Sequence, residues 1–89
     1  MKVAKKQNAE VVWHNEAGTM VDLHWVSTDG KEHFAFAVPP TGRRTWSSPH
    51  GAIWVARDHD SKILLPLNQR CRYTVPRHKR HLQTTITGN

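Results

Sequence analysis

Apolar and polar residues alternate along most of this chain in short runs, and turn residues interrupt those runs roughly every 8–12 positions. In Val21-Asp22-Leu23-His24-Trp25 the residues Val21, Leu23 and Trp25 share one face, and Asp22 and His24 take the other. A period of two is the strand period. Phe34, Phe36 and Val38 alternate with Ala35 and Ala37, Tyr73 and Val75 alternate, and Leu82, Thr84 and Ile86 mark a further strand. Ile53 and Val55 oppose Ala52, Trp54 and Ala56, so both faces of that run are apolar and its strand is expected to be central. No window longer than ten residues has apolar residues at helical spacing, which leaves no helix beyond two turns. Asp29-Gly30 lies between two strand runs and signals a hairpin, because glycine reaches the positive φ of a tight turn. The most economical assembly is an all-β fold, a small antiparallel β-sandwich of seven to eight strands. Val21, Leu23, Phe34, Phe36, Ile53 and Val55 are expected to be largely buried in it.

Length adds one constraint: 89 residues make one hydrophobic core. Residues 1–10 read as a basic N-terminal tail and residues 11–89 as the domain. The tail has lysines but no apolar stretch of the signal-peptide kind, and no run approaches the ~18 apolar residues of a membrane span. Cys71 is the single cysteine, so no internal disulfide can form and a reducing, cytoplasmic setting is expected. Arg70 and Arg72 flank it and can lower its pKa, although an ordinary strand residue is the plainer reading.

Charge changes the picture more. The net charge is +6, and Arg70 to His81 holds five Lys/Arg, two histidines and no acid. Such a stretch attracts phosphates, acidic peptides or anionic surfaces, unless it is simply a solvated face. Four tryptophans are a high count for this length. Trp13 is expected in the core. Trp25 and Trp54 either fill the core or line a groove, and Trp46, in a polar stretch, is harder to bury. Exposed rings on a sandwich are a platform for proline rings, extended peptides or bases. The seven histidines fall without metal-ligand spacing. The closest pair, His78 and His81, lies among cations, and His59 sits between Asp58 and Asp60 in a turn. No nucleophile motif or glycine-rich phosphate loop is present, so neither catalysis, a metal nor a cofactor is expected.

Several stretches together resemble the von Hippel-Lindau β-domain family. They are Val12-Trp13-His14-Asn15, Trp25, Asp29-Gly30, Pro39-Pro40-Thr41-Gly42-Arg43-Arg44 and Gly51-Ala52-Ile53-Trp54-Val55-Ala56-Arg57-Asp58. Leu64-Leu65 and Asn68 to Pro76 continue the likeness more loosely, and His81 to Thr87 supplies a closing strand. The resemblance implies a seven-stranded sandwich with a short terminal helix. It also implies recognition of an extended peptide carrying 4-hydroxyproline, added along a sheet edge. Its two pocket tryptophans fall on Trp25 and Trp54, and the serine that bonds the hydroxyl falls on Ser47, after Trp46. The partner histidine falls on Ala52 and the pocket tyrosine near Ala35, so hydroxyproline selectivity is expected to be lost. His50, two residues from Ala52, substitutes only if its loop folds inward. The helical elongin-binding domain would begin where this sequence ends, so no elongin binding is expected. Arg57-Asp58 is expected to tie down a loop. The resulting expectation is a peptide- or protein-binding module using Trp25, Trp46, Ser47, His50 and Trp54. The alternative is a nucleic-acid or polyanion binder using Arg70–His81, with help from Arg43 and Arg44.

Overall fold

The computed structural model describes residues 8–88. Most of the expected basic tail, residues 1–7, lies outside them. Eight strands follow in chain order: β1 (Ala9–Glu16), β2 (Val21–Val26), β3 (Glu32–Val38), β4 (Arg43–Ser48), β5 (Ile53–Asp58), β6 (Leu64–Leu65), β7 (Tyr73–Thr74) and β8 (His81–Thr87). No helix occurs among the described residues. The sandwich begins inside the expected tail: β1 starts at Ala9, whose side chain is fully buried.

One sheet has the order β4-β1-β8, and the other has the order β3-β2-β5-β6 with β7 also on β5. β5 is central, as its two apolar faces predict. All pairings are antiparallel except β1 with β8, which is parallel from Glu10↔His81 to Glu16↔Thr87. Alternation cannot disclose this, since strands of either direction have a period of two. A parallel pair needs a long crossover, and here the whole intervening domain supplies it.

Trp13 is the centre of the core. It is fully buried, with ring centroids 5.9 Å from Phe36, 5.3 Å from Trp54 and 5.8 Å from Tyr73. Tilted and edge-on pairs of this kind add about 0.5–1.5 kcal/mol each beyond area burial. Val11, Leu23, Leu67 and Ile86 close around it.

Two core expectations are corrected. Phe34 is 60% exposed, although it matches Phe36 and Val38 in the alternation. The pairing explains this: Leu23 faces Phe36 but His24 faces Phe34, so β3 carries one extra residue at a bulge. A bulge changes which face the following residues occupy. Phe34 therefore meets His24 edge-on at 5.8 Å on the outer face. Ile53 is also outside the core cluster and only half-buried, because Trp54 and Ala56 are the inward pair of β5. Val55 is buried as expected.

The expected hairpin is present. Ser27 N–H donates to Lys31 O at 2.9 Å, and Gly30 takes φ 86°. Arg57 and Asp58 tie down loops. Arg57 donates through Nε and Nη2 to the Glu32 carboxylate at 2.7 and 2.8 Å, and through Nη1 to Lys62 O. The Asp58 carboxylate accepts from Thr19 Oγ1 and from the amides of Asp60 and Ser61. Those bonds hold its pKa down at about 2.

Candidate functional site

The Pro39–Gly42 connection folds the β4 edge of one sheet beside the β3 edge of the other. Gly42 N–H donates to Pro39 O at 3.0 Å, closing the turn. A side chain on Gly42 would press into Pro39, 2.8 Å from its Cγ. Arg44 Nη1 then bridges the two edges by donating to Ala37 O at 3.3 Å. Farther along the strands a cleft of about 440 Å³ opens, lined by Trp25, Ala35, Trp46, Ser47, Pro49, Ala52 and Trp54. Its size lies within the roughly 300–1,000 Å³ of ligand sites.

Each tryptophan is held differently. Trp54 is the floor, 2% exposed, and its Nε1–H donates to the buried Ser48 Oγ at 2.9 Å. Ser48 in turn donates to Pro49 O. Trp46 stacks on Phe36 with centroids 4.4 Å apart, and the Arg44 guanidinium lies 5.2 Å above the Trp46 ring. This cation–π layer keeps a half-buried ring in a polar strand. Trp25 is 41% exposed and stacks on His33 at 4.3 Å. The β3 bulge sets this contact by placing His33, rather than Phe34, opposite Trp25. His33 Nε2 is in turn bonded to Ser27 Oγ at 3.1 Å.

The cleft therefore brings together Trp25, Trp46, Ser47 and Trp54. The choice left open for Trp25 and Trp54 resolves into both roles, since Trp54 fills the core with one face and floors the cleft with the other. Ser47 is exposed, and no described residue hydrogen-bonds to its hydroxyl. Ala35 and Ala52 add apolar wall. His50 sits elsewhere. A carbonyl only accepts, so His50 Nδ1 is the donor in its 2.7 Å bond to Pro76 O. Its ring lines an adjoining lobe of about 470 Å³ that shares Trp25, Pro49 and Ala52 with the first.

Sequence reasoning missed Pro49, which walls both lobes, and Ser48, which anchors Trp54. Ser48 was accessible, because it lies two residues from Trp46 and so shares its face. Of the basic stretch, Val75 is buried while Arg70, Arg72, Arg77, Lys79 and Arg80 are exposed. Cys71 is exposed. His59 pairs through Nδ1 with the buried Asp22 carboxylate at 3.0 Å. Among the described residues no group of three or more His, Cys, Asp or Glu could hold a metal ion, and no helix is long and apolar enough to cross a membrane.

No curated protein matches the chain. A family model does: that of the VHL β domain matches residues 1–81. The match takes in every residue that lines the tryptophan cleft, and with the eight-stranded sandwich built around it, the chain belongs to the VHL β domain family.

Proposed function

We propose that this domain is a peptide-binding module that holds an extended segment along the β4 edge and seats an apolar, proline-like ring between Trp25, Trp46 and Trp54. The family supports a substrate-recognition, protein-binding role in general. The observation that carries the finer reading is the tryptophan-lined cleft between two sheet edges. Unpaired backbone groups on an edge strand offer ladder bonds to an added strand, and flat rings offer faces for a pyrrolidine.

The same walls speak against strong selection for a hydroxylated proline. A site discriminates for a hydroxyl when its own buried polar groups are stranded without it. Among the described residues Ser47 is the one that lines the cleft with a hydroxyl, it is exposed, and the side chains of Ala35 and Ala52 carry no polar atom. A serine hydroxyl rotates to water or backbone when plain proline binds. Titrating a proline-rich peptide, with and without 4-hydroxyproline, against tryptophan fluorescence tests both points. Binding that Trp25→Ala weakens, with less than about a tenfold preference (~1.4 kcal/mol) for the hydroxylated form, is expected. Ala52→His should raise that preference. No binding refutes the module, and a hundredfold wild-type preference refutes the selectivity argument.

A second reading, nucleic-acid binding through Arg70–His81, is favoured by the exposed cations of that stretch. Salt dependence separates the two, since phosphate contacts weaken steeply with salt and an aromatic cleft does not.

A further inference from the structure

The cleft does not end at Pro49. Thr28, His50 and Gly51 are among the residues that line its adjoining lobe, and no carboxylate is in that lining. The strand and loop after residue 72 are bonded to that border. Val75 N–H donates to Ala52 O, Gly51 N–H to Val75 O, and His50 Nδ1–H to Pro76 O. The next residue, Arg77, lays its guanidinium against Gly51: a Cβ there would be 3.4 Å from Nη2. Gly51 has φ +84°, a backbone conformation that favours glycine.

Arg77 is exposed and has no ion-pair partner among the described residues, and the same holds for Lys79 and Arg80 beyond it. The nearest turn in sequence to Thr28 carries Asp29, but that carboxylate is already engaged by Ser27 Oγ and Lys31 N–H. The two adjoining lobes thus differ in character. The first is aromatic, and the second is bordered by Gly51, against which lies a guanidinium that has no ion-pair partner among the described residues and is placed by specific backbone bonds.

We propose that the lobe beside His50 and Gly51 receives an acidic side chain of the same bound peptide, which pairs with Arg77. The proposal rests on the peptide-binding reading above and adds a charge and a direction to it. A guanidinium–carboxylate contact is charge-assisted and often bidentate. Successive residues of an extended peptide advance about 3.3 Å, so an acid a few residues from the seated ring reaches the lobe on one flank only.

The test uses the full chain and three proline-centred peptides: one neutral, one with aspartates on the N-terminal flank, and one with aspartates on the C-terminal flank. Dissociation constants are measured at low and physiological salt. One acidic flank is expected to tighten binding about tenfold over the neutral peptide, and the other to change it little. In Arg77→Gln the acidic-to-neutral ratio should fall to about one. In Lys62→Gln, which removes the same charge beyond the opposite end of β5, the ratio should persist. Equal gains on both flanks, or a gain that Lys62→Gln reduces as much as Arg77→Gln, would reduce the effect to net charge and overturn the proposal. Neutral-peptide binding with no acidic gain overturns this proposal alone. Failure of all three peptides overturns the peptide-binding reading with it. A single-stranded oligonucleotide that outcompetes the acidic peptides independently of Trp25 assigns the cations to nucleic acid and also overturns it.

Discussion

Replacing Ser48 with alanine isolates the polar contact that holds the floor of the cleft. Its side chain is fully buried, accepting from Trp54 Nε1 at 2.9 Å and donating to Pro49 O at 3.1 Å. Alanine removes one hydroxyl and little volume, so the cavity contribution is small and the stranded indole N–H dominates. Leaving a buried donor unsatisfied costs about 1–3 kcal/mol. At roughly 0.05–0.15 kcal/mol per residue, a domain of this size has on the order of 5–13 kcal/mol in all. The loss is therefore substantial, lowering Tm by roughly 4–8 °C per kcal/mol. Urea unfolding should be followed by far-ultraviolet circular dichroism, since tryptophan variants alter fluorescence. The decisive comparison is the double variant with Trp54→Phe. Phenylalanine has no donor to strand, so Ser48→Ala should cost about 1–2 kcal/mol less in that background. Peptide affinity should fall in Ser48→Ala as well, because the ring that floors the cleft loses its tether. A cost below about 0.5 kcal/mol, or equal costs in both backgrounds, would refute the reasoning.

Other expectations follow from burial and charge. Phe36→Ala should cost about 3–5 kcal/mol and Phe34→Ala less than about 1, a contrast that denaturant midpoints resolve and that similar losses would contradict. Ile53→Ala should cost less than about 2 kcal/mol, below the range for a core isoleucine. For Asp58, the folded-state pKa of about 2 lies below the ordinary 3.8, so the unfolded chain binds more protons between those values. Stability from this carboxylate is thus fully present above about pH 4 and lost as pH falls through about 2. Asp58→Asn should flatten that part of the stability profile, and an unchanged slope would contradict the assignment.

The local pattern determined a good deal by itself. Period-two alternation places Val21, Leu23 and Val38 in the core, because a strand sends successive side chains to opposite faces whatever it pairs with. The doubly apolar run at Ile53–Ala56 marks a central strand, which pairs with β2 on one edge and with β6 and β7 on the other, although of its outward pair Val55 is buried and Ile53 only half-buried. Glycine at residue 30 marks a turn, because its positive φ is a property of that residue. The tryptophans were legible as groove candidates from their number and setting, but Ser47, and the meeting of all four, only through family resemblance, since nothing in their spacing says that they meet. Tertiary structure decided the rest. Whether Phe34 follows Phe36 inward depends on a one-residue bulge against β2, and a bulge is a property of two strands in register. That bulge also puts His33 beneath Trp25. The direction of β8 depends on its partner β1, and the cleft depends on two sheet edges meeting through a four-residue connection. Arg77 lies against Gly51 because Val75 and Pro76 bond to a loop some twenty-five residues earlier in the chain. Such relations between distant segments arise from pairing and packing free energies, which no local period of the sequence carries.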